Sequence, residues 1–139
     1  MAGAASAALA AAGSIKHVAN SSARLNQLGI NAGFNDKDLD AYKDRTRKKV
    51  QESAIAYGIP EEEIISGMEA IIAKTGDHNF AERMIPLMAK AISATSAEGE
   101  TFGKLISEFN KRGFNDEDTA KGLEILNQQG QDGSFELKQ

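Results

Sequence analysis

The sequence predicts an all-α protein, a compact bundle or array of about six to seven short helices joined by Gly-rich turns. Three observations carry this. Ala, Glu, Lys and Leu/Ile run throughout the 139-residue chain and favour helix, while proline occurs only twice. Apolar residues recur at three- or four-residue steps, the period of one helical face. Glycines fall between those stripes, often with acidic residues just after them, which is the punctuation of one helix ending and another starting.

Residues 1–13 form an Ala-rich N-terminal segment, read as a frayed helix end because alanine buries little area. A signal peptide is disfavoured, since no Lys or Arg precedes the apolar part. Residues 14–139 read as one helical domain, truncated at the C-terminus. Ile15, Val18, Leu25 and Leu28 share a stripe with a polar gap at Ser21 and Ser22, and Gly29 and Gly33 close it. Asn35 starts the next helix, where Leu39, Tyr42, Thr46, Val50, Ala54 and Tyr57 mark one narrow buried side. Asp44 with Lys48, and Asp40 with Lys43, are expected to pair along its outside. The basic cluster Lys43, Arg45, Arg47, Lys48 and Lys49 reads as a solvated face neutralised by its own acids rather than a phosphate site, because no aromatic residues interleave it.

Gly58 stops that helix, and Pro60 fits a first helical position, where its missing N–H is harmless. Glu61, Glu62 and Glu63 then complement the helix dipole; consecutive side chains point about 100° apart, so they do not converge on one ion. Ile64, Ile65, Met68, Ile71 and Ile72 form the strongest apolar stripe, which places this helix at the centre of the core. Asp77 or Asn79 caps the next helix, Asn79 pairing with Glu82, and Pro86 should kink it near Glu82 to Ile85. Phe80, Met84, Leu87, Met88 and Ala91 line its inner side, and His78 reads as a polar surface residue. Thr95-Ser96-Ala97-Glu98 matches a capping box, after which Phe102, Leu105, Ile106 and Phe109 face inward. Gly99 and Gly103 leave one side bare, which either admits a close neighbouring helix or weakens the first turn. Gly113 ends that helix; Asn115 and Asp118 start the last long one, with Leu123 and Leu126 inward and Gly130 and Gly133 as its stop. Ser134, Phe135 and Leu137 begin another. The expected core is therefore Ile64, Met68, Ile71, Ile72, Met84, Leu87, Met88, Phe102, Leu105, Ile106, Phe109, Leu123 and Leu126.

Two internal echoes stand out. GFND-x-D occurs at Gly33 to Asp38 and again at Gly113 to Asp118. Gly58, Glu62, Gly67, Glu69 and Phe80 map in register onto Gly113, Glu117, Gly122, Glu124 and Phe135. Either helix boundaries share a grammar, or units stack as a helical array.

The net charge of −4 and pI near 5.2 disfavour a nucleic-acid face, and no helix pairs a base-reading row with a basic flank. With no cysteine, disulfides, thiolate zinc sites and cysteine nucleophiles are excluded. No apolar run approaches the roughly 18 residues of a membrane span. No Walker loop, metal motif or Ser-His-acid set emerges, so the reading is non-enzymatic, with no catalytic, cofactor-binding or metal-binding residue assigned.

The stretch LEILNQQGQDGSFELK, Leu123 to Lys138, resembles the end of a segment in tail tape measure proteins of long-tailed phages and prophages. There a short helix, a Gly-x-x-Gly turn and a Phe-x-Leu pair recur. The upstream layout from about Leu25, with GIPEEE and GFNDED as helix starts, is similar too. The resemblance implies a fragment of a longer virion structural protein that contributes to tail assembly and tail-length determination. Its implied partners are other tail proteins (tube, tip, chaperones) and self-association. Its implied location is the tail lumen after assembly and the host cytoplasm during assembly. The other class of function is a helical protein-interaction or regulatory module unrelated to phage tails.

Overall fold

The computed structural model describes residues 20–131, and within them the chain forms seven helices and no strand. The Ala-rich segment, Ile15 and Val18 of the first stripe, and the expected final start at Gly133 to Leu137 lie outside the described residues. The helices are α1 (20–31), α2 (Asp36–Tyr57), α3 (Glu61–Thr75), α4 (His78–Arg83), α5 (Ile85–Thr95), α6 (Gly99–Lys111) and α7 (Asp116–Gln131). Glycines at positive φ end four of the expected segments before α7, at Gly33, Gly58, Gly76 and Gly113. Gly130 does not end α7, which runs through it to Gln131.

The core centres on α3, as its stripe predicts. Ile64, Ile65, Met68 and Ile71 are fully buried, and Ile72 packs half-buried at the margin. The most extensive helix–helix packing is α3 against α6, and α2, α4 and α5 also reach α3. The α3–α6 crossing is close because glycines form it. A Cβ on Gly99 would stand 1.7 Å from the Glu63 carbonyl oxygen, and one on Gly103 would stand 2.4 Å from the Gly67 carbonyl oxygen. The bare side of α6 therefore meets backbone directly, which only residues without a side chain allow. From the other direction, Arg24 of α1 reaches Glu69 and Ser66 on α3.

Four local expectations are corrected. Pro60 is the extended residue before α3 (φ −65°, ψ 141°), not its first helical one. The Thr95–Glu98 capping box does not form: Thr95 belongs to α5, Ser96 is its left-handed end at φ 58°, and Glu98 makes no side-chain cap. Instead Glu63, on α3, accepts a hydrogen bond from the Gly99 N–H at 3.1 Å, so α6 is capped from another helix. The expected kinked helix is two helices that meet at Met84. Pro86 cannot donate to the Glu82 carbonyl, but near the start of a new helix that donor is not needed. The buried face of α5 holds Met88 and Ala91 as expected and adds Ile85, Ala89 and Ile92, while Leu87 is half-buried. Lastly, Asp77 alone caps α4, accepting from the Phe80 N–H at 3.0 Å; Asn79 lies inside the helix and makes no pair with Glu82.

The GFND echo is a repeated corner. At α1–α2 the Phe34 N–H donates to the Gly29 carbonyl and the Gly33 N–H to Ile30, both at 3.0 Å. At α6–α7 the Phe114 N–H donates to Phe109 at 3.0 Å and the Gly113 N–H to Asn110 at 3.1 Å. This pair of bonds is the Schellman stop, and it needs positive φ at its glycine, here 93° at Gly33 and 87° at Gly113. In each corner the phenylalanine stacks on a ring: Phe34 on Tyr42 at 5.0 Å, Phe114 on Phe109 at 5.1 Å. The supporting ring comes from opposite helices. Tyr42 on the later helix faces Gly29 on the earlier one, whereas Phe109 on the earlier helix faces Gly122 on the later one. Large and small have exchanged places while the corner is kept. The repetition stops there, since α3–α6, α2–α5 and α5–α7 pack across the sequence, as in a bundle rather than an array of neighbours.

Candidate interaction surface

Ile55 is the most exposed large apolar residue described, at 83%. It lies on the side of α2 away from the buried Tyr42, Thr46 and Val50. Tyr57, expected inside, emerges at 38% exposure as α2 ends. At the α2–α3 corner Gly58 turns left-handed, and the Ile59 N–H returns to the Ala54 carbonyl at 3.1 Å. Ala54, Ile55, Ile59 and Pro60 then line an open groove of about 550 Å³, with Gln51 and Glu61 at its edges. A second depression of about 400 Å³ adjoins it across Gly58 to Pro60 and reaches Ile92 and Ala97. The signal for this surface was present but unused: Ile55 is a large apolar residue out of phase with the stripe of its own helix.

The polar chemistry clusters elsewhere. Glu82, 7% exposed on α4, accepts two hydrogen bonds from Arg45 Nε at 3.0 and 2.9 Å and one from Lys49 Nζ at 2.7 Å. Burial pushes its carboxyl pKa up, but the hydrogen bonds and charges of Lys49 and Arg45 outweigh burial and hold it below the usual value. So two of the five clustered cations neutralise a distant acid, not their own helix, and the expected Asp44–Lys48 and Asp40–Lys43 pairs are not formed among the described residues. Beside them the buried Tyr42 hydroxyl has no hydrogen-bond partner among the described residues. Burial pushes its pKa up to about 12, the Glu82 charge adds to this, and Arg45 offsets part of it. His78 is half-buried rather than a surface residue: its ring meets Phe34 edge-on at 4.8 Å. On the next residue after Glu82, Arg83 donates to Asp116 at 2.8 Å and ties α4 to α7.

These groups hold helices together. Glu82 is saturated by its two cations, the Tyr42 proton is held tightly, and Glu63 is engaged at the α6 start. Among the described residues no group of three or more His, Cys, Asp or Glu is placed to hold a metal ion, and no helix is long and apolar enough to cross a membrane. No protein-family model, curated protein or solved structure matches the chain.

Proposed function

We propose that the chain is a structural module of a phage tail tape measure protein, acting by protein contact rather than catalysis and contributing to tail assembly and tail-length determination. The reading rests on the resemblance of Leu123 to Lys138 and of the glycine-stopped helix starts upstream. The observation that carries the contact part is the groove at the α2–α3 corner, where Ile55 projects at 83% exposure beside Tyr57. Contiguous exposed apolar surface marks a protein-contact site. The longest helix among the described residues, α2, has 22 residues and spans about 33 Å at 1.5 Å per residue. A ruler would need far more, so this segment is a packed module within the longer protein, not its rod. The partners are other tail proteins (tube, tip or chaperones) and a second copy of the module; the setting is the assembling tail.

Electron microscopy of tails made with and without this segment tests the reading. Loss of tails or a changed length distribution is expected on in-frame deletion, and fewer tails with Ile55→Glu, which leaves the fold intact. Normal tails after deletion overturn it and favour an interaction or regulatory module unrelated to tails, which would use the same groove.

A further inference from the structure

The groove at the α2–α3 corner lies in line with the start of α1. Gly29, near the end of α1, faces Leu39 and Tyr42 near the start of α2. His78, just past the end of α3, meets Tyr42 at the same level, 6.1 Å between ring centroids. Arg24, five residues before Gly29, reaches Ser66 and Glu69 in the body of α3. Traced backward, α1 therefore heads for the other end of both helices, where Gly58 to Pro60 join them and the groove opens. From Tyr42 to Ala54 α2 advances about 18 Å, and from Gly29 back to Asn20 α1 covers about 14 Å, at 1.5 Å per residue. The described part of α1 thus begins about one turn short of Ala54. Its inward face does not fade there. Ser21, expected as a polar gap, is as buried as Leu25 and Leu28. Val18 precedes Leu25 by seven residues, and Ile15 precedes Val18 by three, so both continue that face.

We propose that the segment Ile15 to Val18, which lies outside the described residues, occupies the α2–α3 groove in the free chain, its two apolar side chains against Ala54, Ile55 and Ile59. A partner then has to displace it. The regulation rests on the reading of this groove as a contact site, whereas the occupant itself does not require that the partner be a tail protein. A segment tethered about one turn away competes at an effective concentration in the millimolar range. The groove is closed to weak ligands and open to a partner that binds it tightly or draws the N-terminal segment off.

Nuclear Overhauser contacts in the methyl-labelled full chain test the occupant. Contacts from the Ile15 and Val18 methyls to those of Ala54, Ile55 and Ile59 are expected, unchanged on dilution. The double variant Ile15→Asp/Val18→Asp should remove them and shift the amides from Gln51 to Glu61. Signals of the buried Met68 and Phe102 should stay in place, which shows that the fold is kept. A synthetic peptide of residues 12–21 is then titrated into both proteins. It should saturate the groove of the double variant and bind the unaltered chain about tenfold more weakly or worse, because the tethered copy competes. Contacts from Ile15 and Val18 to other surfaces overturn the proposal, as does equal affinity of the peptide for the two proteins or no saturable binding to the variant. Contacts found only between differently labelled chains also overturn it, because the occupant is then a second copy. The tail reading fails separately: normal tails after deletion, with these contacts present, remove the tail partner and leave the occupant.

Discussion

Two glycines show how one missing methyl group carries opposite consequences. Gly103 faces the backbone of α3, where a Cβ would stand 2.4 Å from the Gly67 carbonyl oxygen and 2.8 Å from Ala70 Cβ. Gly122 faces only the ring of Phe109, 3.2 Å from where its Cβ would be, and a ring at a half-buried margin can shift. Alanine gains about 1 kcal/mol of helix propensity at either site, but at Gly103 overpacking against backbone costs about 1–3 kcal/mol. Gly103→Ala should therefore lower the urea midpoint, and Gly122→Ala should leave it unchanged or raise it. Equal effects would mean that α3 and α6 are not in backbone contact. The sequence marked Gly103 as bare. It did not distinguish close approach from a weak turn, because that depends on what lies opposite.

At the level of elements, α4 is held from both sides. Its six residues carry Glu82 toward α2 and Arg83 toward α7. The Glu82 carboxyl has a lower pKa folded than unfolded, so the unfolded chain binds more protons in acid. Its contribution is thus present above the ordinary carboxylate value and is lost as pH falls through the folded value. Glu82→Gln should cost about 1–2 kcal/mol at pH 7, toward the low end because Arg45 and Lys49 stay partly solvated. The gap between the two proteins should close as pH falls through the folded Glu82 value, below the ordinary carboxylate range, where both side chains are neutral. A gap that stays constant with pH in chemical denaturation would show that the ion pairs contribute nothing. This clasp was the least legible part of the chain. Glu82 looked like a capping residue because local spacing suited that, and its true partners lie on a helix two elements earlier. Pro86 had a similar effect: its position foretold an interruption, but not that Ile85 and Ile92 would be buried beside Met88 and Ala91.

For the whole molecule, α3 is the element on which the others pack, and depth decides how each core position responds. Met68 is fully buried, whereas Leu105 is half-buried on α6. Met68→Asp places an unpaired charge in the centre and should cost several kcal/mol, enough to unfold a marginal domain. Leu105→Asp can turn its carboxylate to water and should cost markedly less, although both positions belong to the same kind of apolar stripe. Circular dichroism melts of the two variants check this, and equal losses would misplace the centre of the core. The expected core is otherwise found: Ile64, Met68, Ile71, Met84, Met88, Phe102, Ile106 and Leu123 are buried, and Ile72, Leu87, Phe109 and Leu126 pack around them.

Helix identity, most stops, and the choice of α3 as the centre were determined by sequence alone. Those properties depend on contacts within a turn or so of each residue: a glycine free to adopt positive φ, an Asn115 or Asp77 beside free amides, an apolar residue every third or fourth place. Tertiary structure decided everything that needs a partner from another helix. Glu63 caps α6, Glu82 draws Arg45 and Lys49 across from α2, and Gly99 and Gly103 meet the α3 backbone. A local pattern can say that a face is apolar, bare or charged, but the identity of the opposing face follows from how all seven helices share one interior.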